Sequence, residues 1–188
     1  MKVLRDDVRQ RIWDAARDEF LEQGYDGASM RSIARQAGMT VGNIYLYFTS
    51  KEALFDAIVA GPVGQLSQLL RMTDANEDNL RLLVTTLHDV FIQNRVEFLI
   101  LVTRSKGSRY ETYKESIVDF AQRRLAELQP TALARELSGP IGAALVEGLL
   151  CMYHRFDGDE ARLSENLFHF LNFMLRDMKN ALPMEDMP

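Results

Sequence analysis

Residues 30–44 carry small, turn-forming and branched residues at the spacing of two short helices that cross at a steep angle. Ala34 allows the first helix to touch the second, Gly38 accepts the positive φ of a tight turn, and Ile44 fills the angle between the helices. Such a helix-turn-helix unit places its second helix in the major groove of DNA. Since Ala, Gly and Ile are common residues, this spacing alone does not identify a DNA-binding unit, and the side chains around the turn must show whether it suits DNA.

These side chains suit contacts with the DNA backbone. Gly42 would let the protein backbone approach DNA closely, and the phenol groups of Tyr45 and Tyr47 would donate hydrogen bonds to phosphate oxygens. Lys51 lies at a helix N-terminus, where the free amides also favour a phosphate. The predicted DNA-binding residues are Ser29, Arg31, Thr40, Val41, Gly42, Asn43, Tyr45, Leu46, Tyr47 and Lys51.

Four of these residues would distinguish one base from another. Thr40, Val41, Asn43 and Leu46 would reach base edges through hydrogen bonds or through apolar contact with thymine methyl groups. Tyr47 has an alternative role, in which it packs against the first helix of the chain.

The charges near the turn favour a polyanionic partner, although the chain as a whole is acidic. The 188 residues have a formal net charge of −5, yet the segment from Gly27 to Lys51 carries Arg31, Arg35 and Lys51 and no acidic residue. Acidic residues are thus absent where a phosphate backbone would repel them. Arg31 and Arg35 have the alternative of remaining solvated.

Residues 8–59 resemble the TetR (tetracycline repressor) family of bacterial transcriptional regulators. The resemblance rests on the segment from Gly42 to Phe55 and on Ile12, Ala15, Phe20, Gly24, Tyr25, Gly27, Ser29, Ile33, Ala34, Ala37 and Gly38. It implies an all-α chain with an N-terminal three-helix helix-turn-helix domain and a C-terminal helical domain for ligand binding and dimerisation. Leu46 departs from the family, which usually has a polar or aromatic residue there, and van der Waals contact with bases is therefore expected at this position.

Apolar periodicity predicts the helices that would position these residues. In residues 8–20 apolar side chains recur at three- and four-residue steps, and Gly24 would end this first helix. Ser29 and Thr40 would cap the next two helices. Residues 1–55 are therefore predicted to form the helix-turn-helix DNA-binding domain.

The remainder, residues 56–188, is also helical in its pattern, with no convincing strand. Thr49 would open a capping box for the fourth helix, and Ser108 a second one further along. Asp74–Asn79 is a polar break, and Pro140 would stand in the first turn of the penultimate helix. As the resemblance implies, we expect residues 56–188 to form the helical ligand-binding and dimerisation domain.

The resemblance also implies a homodimer through the last two helices, Pro140–Tyr153 and Glu160–Asn180. The alternative is that these helices pair only within one chain. The middle helices would enclose a pocket for a small-molecule effector, although each residue proposed for its wall has the alternative of plain core packing. The candidate ligand-binding residues are His88, Phe91, Phe98, Tyr110, Tyr113, Cys151 and His154.

Composition excludes several other classes of protein. The single Cys151 cannot form an internal disulfide, no apolar stretch approaches the roughly 20 residues of a membrane span, and the first 30 residues lack the apolar core of a signal peptide. We therefore expect a cytoplasmic protein that does not enter a membrane. No GxGxxG, Walker, HExxH or CxxC pattern is present, so no enzymatic activity, cofactor or metal is expected.

The sequence thus predicts a ligand-responsive, sequence-specific transcriptional regulator, a repressor that a small molecule releases from a palindromic double-stranded DNA operator. One alternative is an all-α small-molecule binding protein that no longer recognises DNA. Another is an activator or a regulator that needs a corepressor, which differs only in the sign of the coupling between ligand and DNA.

Overall fold

The computed structural model describes residues 2–71, 77–128 and 132–181, and within them the chain forms helices without any strand. This confirms the predicted all-α fold. The elements in chain order are α1 (Lys2–Gly27), α2 (Met30–Gln36), α3 (Val41–Tyr45), α4 (Lys51–Leu70), α5 (Glu77–Gln93), α6 (Arg95–Thr103), α7 (Tyr113–Leu128), α8 (Ala132–His154) and α9 (Glu160–Ala181).

The residue contacts divide the chain into two compact units. The first contains Met1–Gln68 and Gln93–Lys114, and the second contains Leu69–Ile92 and Glu115–Pro188. The α6 segment therefore packs with the N-terminal helices, since α6 is in contact with α1. The predicted functional boundary at residue 55 remains a prediction, and part of the predicted break at Asp74–Asn79 lies outside the described residues.

The core of the first unit is built from the helix faces that the periodicity predicts. Ile12 and Phe20 of α1, Ile33 of α2, Ile44 of α3 and Phe55 of α4 are all fully buried. Burial of a side chain of this size stabilises the fold by about 1.5–3 kcal/mol, so these apolar faces hold the short α2 and α3 in place.

Glycine ends α1, as the sequence predicts. Gly24 has φ 68° and ψ 172°, so the regular helix breaks there and only one further turn follows, to Gly27. The N–H of Tyr25 then donates to the carbonyl oxygen of Arg104 at 2.8 Å, which ties this end of α1 to the segment after α6. A residue other than glycine would be strained in this backbone conformation.

The second unit has an aromatic centre. The ring of Tyr153 on α8 stacks on Phe91 of α5 with 4.2 Å between ring centroids, and Phe156 meets Phe91 edge to face at 5.5 Å. Tyr153 is fully buried. Burial raises the pKa of its phenol, and the negative charge of Asp89 raises it further, so Tyr153 stays neutral and serves the core.

Three helix starts differ from the prediction. Ser50, not Thr49, caps α4, because its Oγ accepts the N–H of Ala53 at 3.0 Å. The segment after Ser108 forms turns, and α7 begins only at Tyr113. In the turns the Ser108 Oγ accepts the N–H of Tyr110 instead of starting a helix.

The penultimate helix does not begin at Pro140, because α8 runs continuously from Ala132 to His154 with this proline inside it. Proline removes one hydrogen bond to the carbonyl four residues earlier, that of Glu136. Both Pro140 and Glu136 are exposed. Water can therefore hydrate the carbonyl that the proline leaves without a backbone donor, and the helix continues.

Helix α4 is the one described helix that is long and apolar enough to cross a membrane by length and composition. Its apolar side chains are instead used inside the protein. Leu54, Phe55, Ile58 and Val59 are each no more than 1% exposed. We therefore interpret α4 as a core helix.

Gly142 marks a close approach of α8 to α7. A Cβ atom at this position would lie 3.0 Å from the backbone nitrogen of Gln122 and 3.2 Å from its Cα. At Gly148 the crowding atom is instead the ring of Phe170 on α9, at 2.4 Å. These two glycines therefore serve helix contacts within one chain.

We expect Gly142→Val to lower the free energy of unfolding by about 1–3 kcal/mol, because backbone atoms of α7 cannot give way as a flexible side chain would. Urea denaturation measures the effect. Ala60→Val is the control, since Ala60 is exposed on α4, outside the two helices expected to form the dimer, and accepts a branched side chain at little more than its helix-propensity cost. Equal losses in both variants would contradict the assigned α7–α8 contact.

Candidate nucleic-acid interface

Two capped helices present the predicted surface. The Oγ of Ser29 accepts the N–H of Ser32 at 3.1 Å at the start of α2, and the Oγ1 of Thr40 accepts the N–H of Asn43 at 3.3 Å at the start of α3. Both predicted caps are confirmed. A hydroxyl that accepts a backbone N–H keeps its own hydrogen, so both side chains can still donate to a phosphate oxygen.

The turn between α2 and α3 has the geometry that its glycine predicts. Gly38 has φ 68°, and the N–H of Met39 donates to the carbonyl oxygen of Ala34 at 3.0 Å. Ala34 and Ile44 are buried where the two helices meet. The direction of α3 therefore follows from the position of α2, since only four residues, which form a hydrogen-bonded turn, join the two helices.

Helix α3 has only five residues, but together with its C-cap residue, Leu46, it divides sharply into a buried and an exposed face. Ile44 is fully buried, whereas Leu46 is 81% exposed and Tyr45 is 49% exposed. An apolar side chain as exposed as Leu46 contributes nothing to the core of this chain. Gly42 and Asn43 are exposed beside it. A helix with this exposed face and a buried opposite face can be inserted into a groove without unfolding.

All ten predicted DNA-binding residues lie in the first unit and reach its surface. Three of them, Val41, Tyr47 and Lys51, are half-buried. The remaining seven are exposed: Ser29, Arg31, Thr40, Gly42, Asn43, Tyr45 and Leu46. Their roles toward DNA remain predictions.

A groove of about 710 Å³ adjoins this surface and brings in residues that the motif did not indicate. One side comes from α1, with Val8 and Arg11, and another comes from the end of α2, with Arg35. Both arginines are exposed. The remaining lining residues are Gly38, Met39, Thr40, Asn43, Leu46 and Tyr47.

None of the described residues that line the groove is acidic, and two of them are arginines, so together these residues give it a positive charge. Arg11 has only a long contact with Asp7, 3.9 Å between charged atoms, with both side chains largely exposed. Arg35 donates to the hydroxyl of Ser32 at 3.4 Å. A long, exposed ion pair and a long hydrogen bond to a hydroxyl are both weak, which leaves both guanidinium groups available to a phosphate.

Lys51 has partners inside the protein that the motif did not indicate. Its ammonium group donates to the carbonyl oxygens of Tyr25 at 2.6 Å and of Ala28 at 3.0 Å, and it lies 4.4 Å from the centre of the Tyr25 ring. Lys51 thus joins the start of α4 to the connection between α1 and α2. Since an ammonium group has three N–H donors, one remains for a phosphate.

Burial raises the pKa of the Tyr25 phenol, and the charges of Glu52 and Asp56 raise it further, so the ring stays neutral beside the lysine.

Glu19 is a second residue whose contacts near this surface the motif did not indicate. It is only 4% exposed, and its carboxylate accepts hydrogen bonds from the Ser32 hydroxyl at 2.9 Å and from the Gln36 amide at 2.7 Å. The signal was present in the pattern, because Glu19 falls on the same apolar face of α1 as Ala15 and Ala16. An acid at such a position needs hydrogen-bond partners inside the protein.

The predicted ligand-binding residues do not all fall in one unit. Phe98, Tyr110 and Tyr113 belong to the first unit, whereas His88, Phe91, Cys151 and His154 belong to the second. Their role in ligand binding remains a prediction.

Within the first unit, Tyr110 and Tyr113 both contact residues of α4. Tyr110 packs against Phe55, with 6.2 Å between ring centroids. The hydroxyl of Tyr113 lies 3.3 Å from the Val63 carbonyl oxygen and 3.3 Å from the Ser67 hydroxyl. Both tyrosines therefore help to build the first unit.

In the second unit the environments differ from residue to residue. Phe91 is buried in the aromatic core, while Cys151 and His154 are exposed on α8. The His154 Nδ1 lies 2.7 Å from the Leu150 carbonyl oxygen. In the part of the chain that the structure describes, no group of three or more His, Cys, Asp or Glu side chains could hold a metal ion.

The segment after α6, residues 104–109, contains three basic residues, and one of them, Arg109, is partly neutralised. Arg109 forms an ion pair with Asp56 at 2.9 Å and donates to the hydroxyl of Tyr110 at 2.9 Å. These contacts raise the pKa of Arg109, with the Tyr110 hydrogen bond as the largest cause. This arginine therefore serves the packing of its own segment more than it serves an external anion.

We expect Arg35→Ala to weaken binding to every DNA duplex by a similar factor and to lower the slope of log K against log salt by about 1, because one phosphate contact is lost. Titrations of a labelled duplex at several salt concentrations measure this slope. Arg123→Ala is the control, since Arg123 is exposed on α7 in the other unit and should leave the slope unchanged. An unchanged slope for Arg35→Ala would show that this arginine is merely solvated.

Comparisons with known proteins agree with this geometry. Residues 12–58 match the family model described as bacterial regulatory proteins, tetR family. The HTH-type transcriptional regulator UidR of Escherichia coli (strain K12) is 27% identical over 160 residues, which cover 80% of this chain and 79% of UidR.

Two solved structures extend the likeness over most of the chain. NalD of Pseudomonas aeruginosa, the secondary repressor of the MexAB-OprM multidrug efflux pump, is 25% identical with a TM-score of 0.53, covering 88% of this chain and 96% of NalD. A TetR-like transcriptional regulator from Rhodococcus sp. RHA1 has a TM-score of 0.64 at 20% identity, covering 92% of this chain and 96% of the other. The second likeness shows a shared fold.

Proposed function

The chain belongs to the TetR family of bacterial transcriptional regulators, and from this premise we propose that it is a cytoplasmic repressor that a small molecule releases from a palindromic operator. Regulation of transcription through DNA binding is the function of the family. The identity of the contacting residues, the sign of regulation and the mode of release are the parts that we propose.

The exposed face of α3 is the observation that carries this proposal. Leu46, Tyr45 and Asn43 project from a helix whose opposite side is locked by the fully buried Ile44. We assign Asn43 and Leu46 to base edges in the major groove, where an amide pairs with adenine and an apolar side chain meets a thymine methyl group. The hydroxyl groups of Tyr45 and Ser29 would hold the helix in register on the phosphates.

We propose that the protein acts as a homodimer through α8 and α9. Helix α9 exposes two large aromatic side chains, Phe168 at 58% and Phe173 at 66%, and α8 exposes Leu137 at 36%. Aromatic side chains of this size are costly to leave in water and are typical of the buried centre of an interface. Two recognition helices in a dimer would contact half-sites one DNA turn apart, roughly 34–36 Å or a multiple of it.

Release by a ligand requires a coupling between the two domains. We propose that a small molecule bound by residues 56–188 tilts α4, whose first residue, Lys51, borders the DNA surface. By thermodynamic reciprocity, saturating operator must then weaken ligand binding by the same factor by which ligand weakens DNA binding, typically about 5–150-fold. NalD is a repressor, which supports our proposal that the present chain also represses transcription.

Selection of bound sequences from a random duplex library by the full-length protein tests the proposal. We expect an enriched palindrome whose half-sites are separated by about 10–10.5 base pairs or a multiple, because a twofold dimer imposes its symmetry on the operator. Asn43→Ala should change the preferred base within each half-site without changing the spacing. Enrichment of no common sequence would contradict the proposal and favour a small-molecule binding protein that does not recognise DNA.

A further inference from the structure

Glu19 is a carboxylate inside the first unit for which the proposed DNA contacts provide no use. It lies on α1, yet its hydrogen-bond donors all come from α2 or its cap. They are the N–H of Ser29 at 3.4 Å, the hydroxyl of Ser32 at 2.9 Å and the amide of Gln36 at 2.7 Å. Ser29 is the N-cap of α2 and Gln36 is its last residue, so one carboxylate holds α2 against α1 along its whole length.

The same network extends to the surface proposed to contact DNA. The Ser32 hydroxyl donates to Glu19 and accepts from the guanidinium of Arg35 at 3.4 Å. Arg35 lines the basic groove described above. Helix α2 also passes through the Gly38 turn directly into α3, so a shift of α2 on α1 moves the recognition helix as well.

Core packing alone does not explain an acid at this position. Burial of a carboxylate is unfavourable unless hydrogen bonds compensate for the lost water, and an apolar side chain of similar volume is often as stable or more stable in such a site. The carboxylate does offer directional bonds, and its charge interacts favourably with the N-terminal end of α2. A carboxylate at position 19 is therefore suited to fixing the orientation of α2 against α1.

We propose that Glu19 is a positioning residue for DNA recognition, which holds α2, and through it α3, at the angle that base contacts require. This inference rests on the proposed function, because it concerns the orientation of a DNA-binding surface. Its specific consequence is that loss of the carboxylate lowers the ratio of operator affinity to random-duplex affinity. A change in melting temperature does not account for this loss.

Glu19→Leu and Glu19→Gln test the proposal, with Glu22→Leu as the control. Leucine fills the site but offers no acceptor, so we expect about a tenfold loss of operator affinity, since hydrogen bonds to a charged group are among the strong ones. Random-duplex affinity should stay within about twofold, because phosphate attraction does not depend on the angle of α3. Glu22 is exposed on the same helix, and Glu22→Leu removes the same charge without touching α2.

Glutamine should rescue the selectivity. Its Oε1 can accept from both Ser32 and Gln36, which bond to one and the same carboxylate oxygen of Glu19. Only the 3.4 Å contact with the Ser29 N–H is then lost, so we expect operator affinity within about threefold of the unchanged protein. Melting temperatures are recorded for every variant, and binding is measured well below them. A purely structural role would lower the melting temperature of Glu19→Leu and leave its selectivity equal to that of the unchanged protein.

The outcomes separate this inference from the proposed function. If the unchanged protein shows no selectivity for any duplex, the proposed function is wrong and the inference is wrong with it. If the unchanged protein is selective and Glu19→Leu is equally selective, or Glu22→Leu loses as much selectivity, the proposed function stands and the positioning role is refuted.

Discussion

Leu46→Glu is expected to lower operator affinity by about 100-fold or more, because one good base contact contributes about 1–3 kcal/mol and a carboxylate in the groove adds repulsion from the phosphates. The protein itself should be unaffected. Leu46 is 81% exposed, and a substitution at such a position changes the free energy of unfolding by less than about 0.5 kcal/mol. Titration of the selected operator and a urea denaturation curve measure the two quantities.

Leu82→Glu supplies the matched control for this experiment. Leu82 is also an exposed leucine on a helix, but it belongs to α5 in the second unit. It changes the net charge of the chain by the same amount, so any general effect of charge on DNA affinity appears in both variants. Equal affinities for Leu46→Glu and Leu82→Glu would show that α3 is not the recognition helix.

Lys51→Met is expected to lower the free energy of unfolding by about 2 kcal/mol, because two carbonyl oxygens lose a charged donor and the Tyr25 ring loses a cation. Methionine keeps the apolar stem of the side chain, so the loss reports on the ammonium group. The estimate is less than the sum of two charge-assisted bonds because Lys51 is only half-buried. DNA binding should weaken for every sequence, with the salt slope lower by about 1, through loss of the third N–H donor.

Lys106→Met serves as the control, since Lys106 is an exposed lysine in the same unit. The two readouts separate two roles of Lys51. A loss of stability without a change of slope would assign Lys51 to the junction between α4 and the α1–α2 connection alone. Unchanged stability would contradict the contacts with Tyr25 and Ala28.

The features of the fold that the sequence predicted best are those determined by residues close together in the chain. The cap residues Ser29 and Thr40 and the turn residue Gly38 act on neighbours within a few positions, so residue type and spacing are enough to predict them. The apolar face of α1 and the burial of Ile44 follow in the same way from periodicity.

The contacts that sequence did not predict join positions far apart in the chain. The partners of Lys51 lie 23 and 26 residues earlier, and no spacing rule connects a lysine with backbone carbonyls at that separation. Glu19 and Gln36 are 17 residues apart, so no spacing rule pairs them. The position of Glu19 on an apolar helix face indicates only that it has some partner inside the protein. The continuous α8 was missed because the effect of Pro140 depends on exposure, which periodicity does not reveal.

The ligand site is predicted least well, for a physical reason. A pocket wall and a core share the same apolar and aromatic residues, so Phe91 or Tyr113 fits either one by residue type. A DNA-binding surface is easier to predict from sequence, because it needs exposed polar and apolar side chains on one short helix. The sequence therefore supports a detailed prediction for residues 29–51 and only a general one for residues 56–188.

The most direct test of the DNA-binding function is the affinity of the full-length protein for the duplex upstream of its own gene, measured against a random duplex at two salt concentrations. We predict binding that is at least about 1,000-fold tighter for the upstream duplex and that weakens steeply as salt rises. Equal or absent binding to both duplexes, by protein that is folded and dimeric, would contradict the assignment of α3 as a recognition helix.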